Sequence, residues 1–223
     1  MGCHSETFGK ASLDQLMLYD ITRTLSAATA VFPGDTPVKT AEVMRLRDGA
    51  SANVSAIQMS VHAGTHIDAP KHYSDAGIGI DQVPLDVLMG PTRVITLEMP
   101  GRITRADLEA RHLRGVTRLL VHTRGSEIPN DVFDPTFPHF EGVAADYLGA
   151  MGIKLIGIDT PSVDEASSKT LQAHMAFLRH NTIIMENLCL TGVPDGLYDL
   201  IALPIKIEGC DAAPARVLLR PMA

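Results

Sequence analysis

Tryptophan is absent from this sequence of 223 residues, and aromatic side chains make up only 4% of it. A chain with so few rings lacks the stacking platform on which many proteins hold nucleic-acid bases. Positive charge is also scarce, because 19 lysines and arginines face 26 aspartates and glutamates, for a net charge of −7. No apolar run approaches the roughly 18 residues of a membrane-spanning helix. We therefore expect neither a nucleic-acid nor a membrane partner.

Cysteine is scarce as well. Cys3, Cys189 and Cys210 are an odd number at unrelated spacings, which is not a disulfide framework and indicates a reducing compartment. The N-terminal segment lacks the apolar core that is typical of a signal peptide, so we expect a cytoplasmic protein. We interpret residues 1–16 as a flexible tail and residues 17–223 as a single domain. The glycine-rich loops that cradle phosphates are also missing.

The order of the predicted elements favours a mixed α/β domain, since strands and helices alternate in the second half of the chain. Strands are predicted at 16–25, 53–68, 90–99, 116–123, 154–159, 181–185, 200–207 and 215–220. Helices are predicted at 104–112, 142–151 and 169–180, the first with Thr104 as its N-cap.

The sequence does contain an unusual cluster of histidines between residues 62 and 72. In an extended strand alternate side chains share a face, so His62, His66 and Asp68 are predicted to point the same way, with Gly64 leaving room between them. Two imidazoles and a carboxylate on one face form a site suited to a divalent transition metal such as Zn or Mn. His72 follows a proline turn, and near a metal it suits a general acid or base at neutral pH.

A single histidine on a strand is most often a satisfied, half-buried side chain. Three histidines and an aspartate within eleven residues of an apolar strand are different, because burying them without partners costs several kcal/mol. Farther along, His174 lies on a predicted helix and Glu186 follows an apolar strand. Either one alone would be interpreted as a surface residue, and their importance depends on whether they complete the coordination of the first cluster.

The string HAGTHIDAPKH, from His62 to His72, resembles the signature of the cyclase family of metal-dependent hydrolases, which includes bacterial kynurenine formamidases and isatin hydrolases. Four further segments carry the resemblance along the chain: VFPGDTP (31–37), GIDTPSVD (157–164), SKTLQAH (168–174) and the stretch 198–221. The second and third of these resemble the formamidase branch most closely.

The resemblance implies a fold, an activity and a set of residue roles. The fold would be a mixed α/β domain with a swivelling β/β/α core, assembled as a homodimer. Two divalent metal ions, Zn or Mn, would be bound: His62, His66 and Asp68 hold the first, Asp68 bridges to a second on His174, and Glu186 is shared. His72 would be the catalytic proton donor and acceptor. The expected reaction is hydrolysis of N-formylkynurenine to kynurenine and formate, in tryptophan degradation.

One position departs from the formamidase pattern. Formamidases carry tryptophan before Pro-Gly-Asp, where it lines the substrate pocket, whereas this chain has Phe32. Phenylalanine can still stack on an aromatic substrate but lacks the indole N–H donor. Ring opening of isatin, or of another cyclic amide or lactone, therefore stays open as an alternative.

Two more distant alternatives also remain. A non-haem Fe(II) oxygenase would use two histidines and one carboxylate, such as His66, Asp68 and His174. His62 and Glu186 would then be superfluous, and the alternating helices do not suit a jelly roll. A protein that binds a metal or ligand without catalysis would have no need of His72.

Overall fold

A computed structural model describes residues 17–98 and 101–222 of the chain. The predicted tail, residues 1–16, lies outside these described residues. Within them we find twelve strands and four α-helices. The strands are β1 (Tyr19–Asp20), β2 (Lys39–Met44), β3 (Val54–Gln58), β4 (His66–Asp68), β5 (Met89–Thr96), β6 (Arg102–Ile103), β7 (Arg118–His122), β8 (His139–Phe140), β9 (Leu155–Ile158), β10 (Ile183–Glu186), β11 (Gly196–Pro204) and β12 (Ala212–Pro221). The helices are α1 (Leu85–Leu88), α2 (Arg105–Glu109), α3 (Gly142–Ala150) and α4 (Gln172–Arg179).

The main sheet closes on itself. Its strands run in the order β12, β11, β5, β7, β9, β10 and β4, and β4 pairs back with β12, while β1 is added to β12. The pairs from β5 through β10 are parallel, and the remaining pairs of the ring are antiparallel. This barrel-like mixed sheet with helices outside confirms the predicted mixed α/β fold.

Two apolar cores lie on opposite faces of the parallel strands, as the alternation of side chains along a strand requires. On β7, Leu120 belongs to the core inside the ring, whereas Leu119 and Val121 belong to a second core that includes residues of α2, α3 and α4. Strands buried on both faces are continuous apolar runs, and this explains why β7, β9 and β10 could be recognised in the sequence.

The predicted helices are present with shorter bounds. Thr104 is the N-cap of α2: its hydroxyl accepts the backbone N–H of Asp107, and the Asp107 carboxylate accepts the N–H of Thr104 in a capping box. In α4, Phe177 packs edge-to-face on Phe140 and fixes that helix against the outer core. Among the described residues, no helix is long and apolar enough to cross a membrane.

The predicted strand over residues 53–68 is wrong as a single element. The chain forms β3, then turns, and forms β4 only from His66 onward. The turn includes Gly64, whose φ of +66° lies in the left-handed region that L side chains rarely adopt. Gly64 therefore serves the backbone turn, and His62 lies within that turn, outside either strand.

A hairpin that the sequence patterns did not indicate projects from the sheet. Among the described residues, strands β2 and β3 pair only with each other, and every residue of both is exposed. Its root lies beside the histidine turn, where the hydroxyl of Ser60 donates to the carboxylate of Asp35 at 2.9 Å. Because its side chains are exposed, the apolar ones among them are available for an intermolecular contact, and such a contact would stabilise a hairpin that is only marginally stable alone in water.

Candidate metal centre

The register of the closed sheet places three polar side chains together. His66 and Asp68 are two residues apart on β4 and so share one face. Glu186, the last residue of β10, stands opposite His66 in the antiparallel pair. The Nε2 atom of His66 is 3.3 Å from Oδ1 of Asp68 and 3.4 Å from Oε2 of Glu186. All three side chains are buried.

Helix α4 adds a fourth side chain to this group. The Nε2 atom of His174 is 3.5 Å from Oδ2 of Asp68 and 3.6 Å from Oε1 of Glu186. Its other ring nitrogen, Nδ1, is 2.6 Å from the carboxylate of Asp164, which also accepts the backbone N–H groups of Ala173 and His174. Asp164 therefore caps the helix and fixes the orientation of the His174 ring.

His62 reaches the same group from the turn. Its Nδ1 atom is 3.1 Å from Oδ1 of Asp68, and its ring packs edge-to-face on that of His66 with centroids 5.0 Å apart. The alternation argument thus holds for His66 and Asp68 but is wrong for His62, which the left-handed turn at Gly64 brings into place. The structure places all five expected ligands, His62, His66, Asp68, His174 and Glu186, around one point.

The atoms that face this point have unmet bonding capacity. The Nε2 atoms of His66 and His174 and both carboxylate oxygens of Asp68 are buried, and none has a hydrogen-bond partner among the described residues. Buried polar atoms without partners cost about 1–3 kcal/mol each, so a cluster of them in one place suits the binding of a cation. Imidazole and carboxylate donors together suit divalent transition metals.

The pKa shifts in the cluster also favour a positive charge at its centre. Burial disfavours the charged form of His66, but the carboxylates of Asp68 and Glu186 raise its pKa to about 10. Burial also opposes the charge on His174, whereas Asp164 and Asp68 raise its pKa to about 10. Burial would raise the pKa of Asp68, yet the three histidines around it hold that pKa well below its usual range. The carboxylates therefore favour positive charge at the centre, and a divalent cation would supply it.

His72 stands beside this cluster with a partly exposed side chain. It ends a short 3-10 turn that begins at Pro70. Its ring lies 4.1 Å from that of His62 and 5.8 Å from that of His174, between centroids. It faces the cavity described next, which suits a group that exchanges protons with a bound molecule.

A cavity of about 270 Å³ opens over the cluster. His62, His72, His174 and Glu186 line it from below. Phe32 lines its wall and packs edge-to-face on Phe133, with ring centroids 5.2 Å apart. The cavity can therefore hold a small aromatic molecule between a polar floor and an aromatic wall.

Sequence reasoning missed three residues of this site. Asp164 orients His174, and Asp211 accepts a hydrogen bond from His62, with 2.9 Å between Nε2 and Oδ2. Both aspartates lie in segments that carried the family resemblance, but no local spacing linked them to a histidine. Phe133 lies on a loop without a motif, so no signal in the sequence marked it as a partner of Phe32.

Comparisons with known proteins agree with this geometry. The family model described as "Putative cyclase" matches residues 19–165. A kynurenine formamidase from Maricaulis maris (strain MCS10) is 42% identical over 206 residues, which cover 92% of this chain and 98% of that protein.

Solved structures with the same fold are also found. A protein described as a potential metal-dependent hydrolase with cyclase activity superposes with a TM-score of 0.83 at 32% identity, covering 92% of this chain and 98% of the other. Isatin hydrolase A from Labrenzia aggregata, bound to benzyl benzoate, gives a TM-score of 0.79 at 23% identity, covering 92% and 94%. At this low identity, the second likeness shows the fold alone.

Proposed function

Because this chain belongs to the cyclase family of metal-dependent hydrolases, we propose that it hydrolyses N-formylkynurenine to kynurenine and formate, with divalent metal bound among its buried histidines and carboxylates. The observation that carries the proposal is the convergence of five ligand-type side chains, four of whose atoms lack partners among the described residues, beneath a cavity with an aromatic wall. A closely similar chain, that of Maricaulis maris, is named a kynurenine formamidase.

Each side chain of the proposed ligand set has its own role in binding the two metal ions. His62, His66 and Asp68 would hold one ion, and Asp68, His174 and Glu186 would hold a second, with Glu186 available to both. The close approach of carboxylate and imidazole atoms at 3.1 to 3.6 Å supports this arrangement. Zn and Mn both accept such mixed nitrogen and oxygen donors. When bound, such ions lower the pKa of water toward neutrality and polarise a carbonyl oxygen.

His72 is the proposed proton carrier. Hydrolysis of the formyl amide breaks the C–N bond, places the water oxygen on the formyl carbon and requires a proton on the departing aryl amine. The imidazole of His72 takes a proton as the water attacks and returns it to the amine nitrogen. Its place between the buried cluster and the cavity supports this role.

Phe32 is the proposed contact for the aromatic ring of the substrate. Its side chain forms part of the cavity wall and is braced by Phe133, so it can stack on an aryl group. The difference from the tryptophan of formamidases is the observation that favours a second candidate, ring opening of isatin or another cyclic amide or lactone. Both reactions use the same attack of water on a carbonyl carbon.

One comparison of rates tests the assignment. The kcat/KM of the metal-loaded protein is measured for N-formylkynurenine and for isatin, with metal content quantified on the same sample. The proposal predicts the higher value for N-formylkynurenine. A higher value for isatin would assign the chain to the second reaction, and turnover that requires both iron and oxygen would indicate an oxygenase instead.

Assembly and location belong to the same proposal. We expect a homodimer, and the exposed β2–β3 hairpin with its apolar side chains supports a contact between two copies. A cytoplasmic location and an N-terminal tail over residues 1–16, ahead of one domain over 17–223, stay predictions.

A further inference from the structure

Asp211 occupies a position that links the sheet to the site. It directly precedes β12, whose first residue, Ala212, pairs with Asp68 on β4. The backbone carbonyl of Asp211 accepts the N–H of Ala69 at 2.8 Å. Its loop is tied down farther away as well, because the carboxylate of Asp81 accepts the backbone N–H of Gly209 at 2.8 Å.

The side chain of Asp211 faces two histidines at once. Its Oδ2 atom is 2.9 Å from Nε2 of His62 and 3.5 Å from Nδ1 of His72. His62 therefore lies between two carboxylates, since its other nitrogen, Nδ1, is 3.1 Å from Asp68. A neutral imidazole carries one N–H, so a ring that offers Nδ1 to a metal has its proton on Nε2 and donates it to Asp211.

Oδ2 of Asp211 lies close to the rings of both His62 and His72. His62 and His72 lie 4.1 Å apart between centroids, with 43° between their planes. A carboxylate that faces both rings restrains both orientations, and the side chain of His72 is otherwise partly exposed. Asp164 acts on one ring only, that of His174.

We infer that Asp211 is a positioning residue, which orients His62 toward the metal and His72 toward the substrate. The inference rests on the proposed function for the role of His72. Removal of the carboxylate would then have two separable effects: weaker metal binding through His62, and a slower proton transfer through His72.

The test compares Asp211→Asn with Asp81→Asn. Asp81 is a matched control, because its carboxylate lies on a separate turn and holds the loop of Asp211 through the backbone of Gly209. Zinc affinity is measured by competition with a chelator, and kcat and KM for N-formylkynurenine are measured at saturating zinc. For D211N we expect a loss of about 10-fold or more in zinc affinity and of about 10- to 100-fold in kcat, the range seen when partners of metal-bound histidines are removed. KM stays within about twofold, because Asp211 does not bind the substrate.

Two further results discriminate positioning from a merely structural role. Asp211→Glu, which keeps the carboxylate, is expected to recover part of both losses, and D81N is expected to keep both values within about twofold of the unchanged protein. Wild-type zinc affinity in D211N would overturn the role at His62, and full recovery of kcat at saturating zinc would overturn the role at His72. Losses in D81N equal to those in D211N would assign the effect to the loop.

The affinity measurement needs no substrate. Absence of turnover by the unchanged protein would therefore contradict the proposed function, whereas unchanged zinc affinity in D211N would contradict the role of Asp211 at His62.

Discussion

Glu186 and His66 face each other across the antiparallel pair of β10 and β4, with Oε2 and Nε2 3.4 Å apart. They are distant in sequence, and the pairing register alone decides that they meet. A slip of one residue would send Glu186 to the opposite face of the sheet. The closed ring prevents such a slip, because β4 is held by β10 on one side and by β12 on the other.

Replacing His72 with alanine tests the proton carrier. We expect kcat for N-formylkynurenine to fall by about 10²- to 10⁴-fold, the usual contribution of a positioned acid or base. Metal content stays unchanged, because the five proposed ligands are intact. The exposed His112 provides a matched control, and His112→Ala is expected to keep wild-type kcat. Full activity of a folded, metal-loaded H72A protein would show that the proton moves through another group.

Replacing Gly64 with alanine tests the turn that brings His62 to the site. The backbone is left-handed there, and an added Cβ would lie 2.7 Å from Cδ2 of Leu25. We expect the free energy of unfolding to fall by about 1–3 kcal/mol, with a parallel loss of zinc affinity. Gly101→Ala is the control, since φ there is ordinary and nothing lies within 4 Å of its added Cβ. Equal stability of both variants in urea titrations would argue against a required left-handed turn.

A carboxylate on the loop beside the cavity gives a prediction about pH. Hydrogen bonds from Thr136, together with Arg124, lower the pKa of Asp134 to about 2. The folded form thus holds its charge at a lower pH than the unfolded chain, so this carboxylate stabilises the fold above about pH 4, and the effect is lost as pH falls toward 2. Asp134→Asn is expected to lower the melting temperature at pH 6, to lower it less as the pH falls below about 4, and to have little effect at pH 2 and below. A difference that grows on acidification would contradict this sign.

The exposed hairpin gives a prediction about assembly. Val43 and Ile57 have side chains 62% and 59% exposed, and burial of these side chains between two copies would explain their presence on a projecting element. The double variant Val43→Asp, Ile57→Asp is expected to shift the protein from dimer to monomer in sedimentation velocity. Val143→Asp, which changes an equally exposed side chain on α3, is the control. A monomeric wild-type protein, or a dimer unaffected by the double change, would exclude this interface.

How far the sequence predicts the site depends on how local each signal is. Alternation along a strand places His66 and Asp68 on one face, and the structure agrees. The same rule is wrong for His62, because it takes no account of a left-handed glycine. His174 and Glu186 could be connected with the cluster only through resemblance, since strand register and helix docking bring them there.

For the fold too, the sequence predicts the elements with a local signal and misses those that depend on distant segments. Strands buried on both faces, such as β7 and β9, are continuous apolar runs and were predicted. β3 was predicted only as part of the longer strand 53–68, and β2 was not predicted, because the hairpin is exposed on both faces and no buried face imposes a pattern on β2. The closure of the sheet through β4 and β12 could not be predicted either, because it depends on pairing between segments about 145 residues apart.

Removal and return of metal tests the central claim most directly. Hydrolysis of N-formylkynurenine is followed in protein stripped by a chelator, with metal quantified, and again after stepwise addition of Zn or Mn. We predict that activity is lost with the metal and returns in proportion to the ions bound, because the buried atoms of His66, Asp68 and His174 need a cation to complete their bonding. Full activity in exhaustively stripped protein would contradict the account.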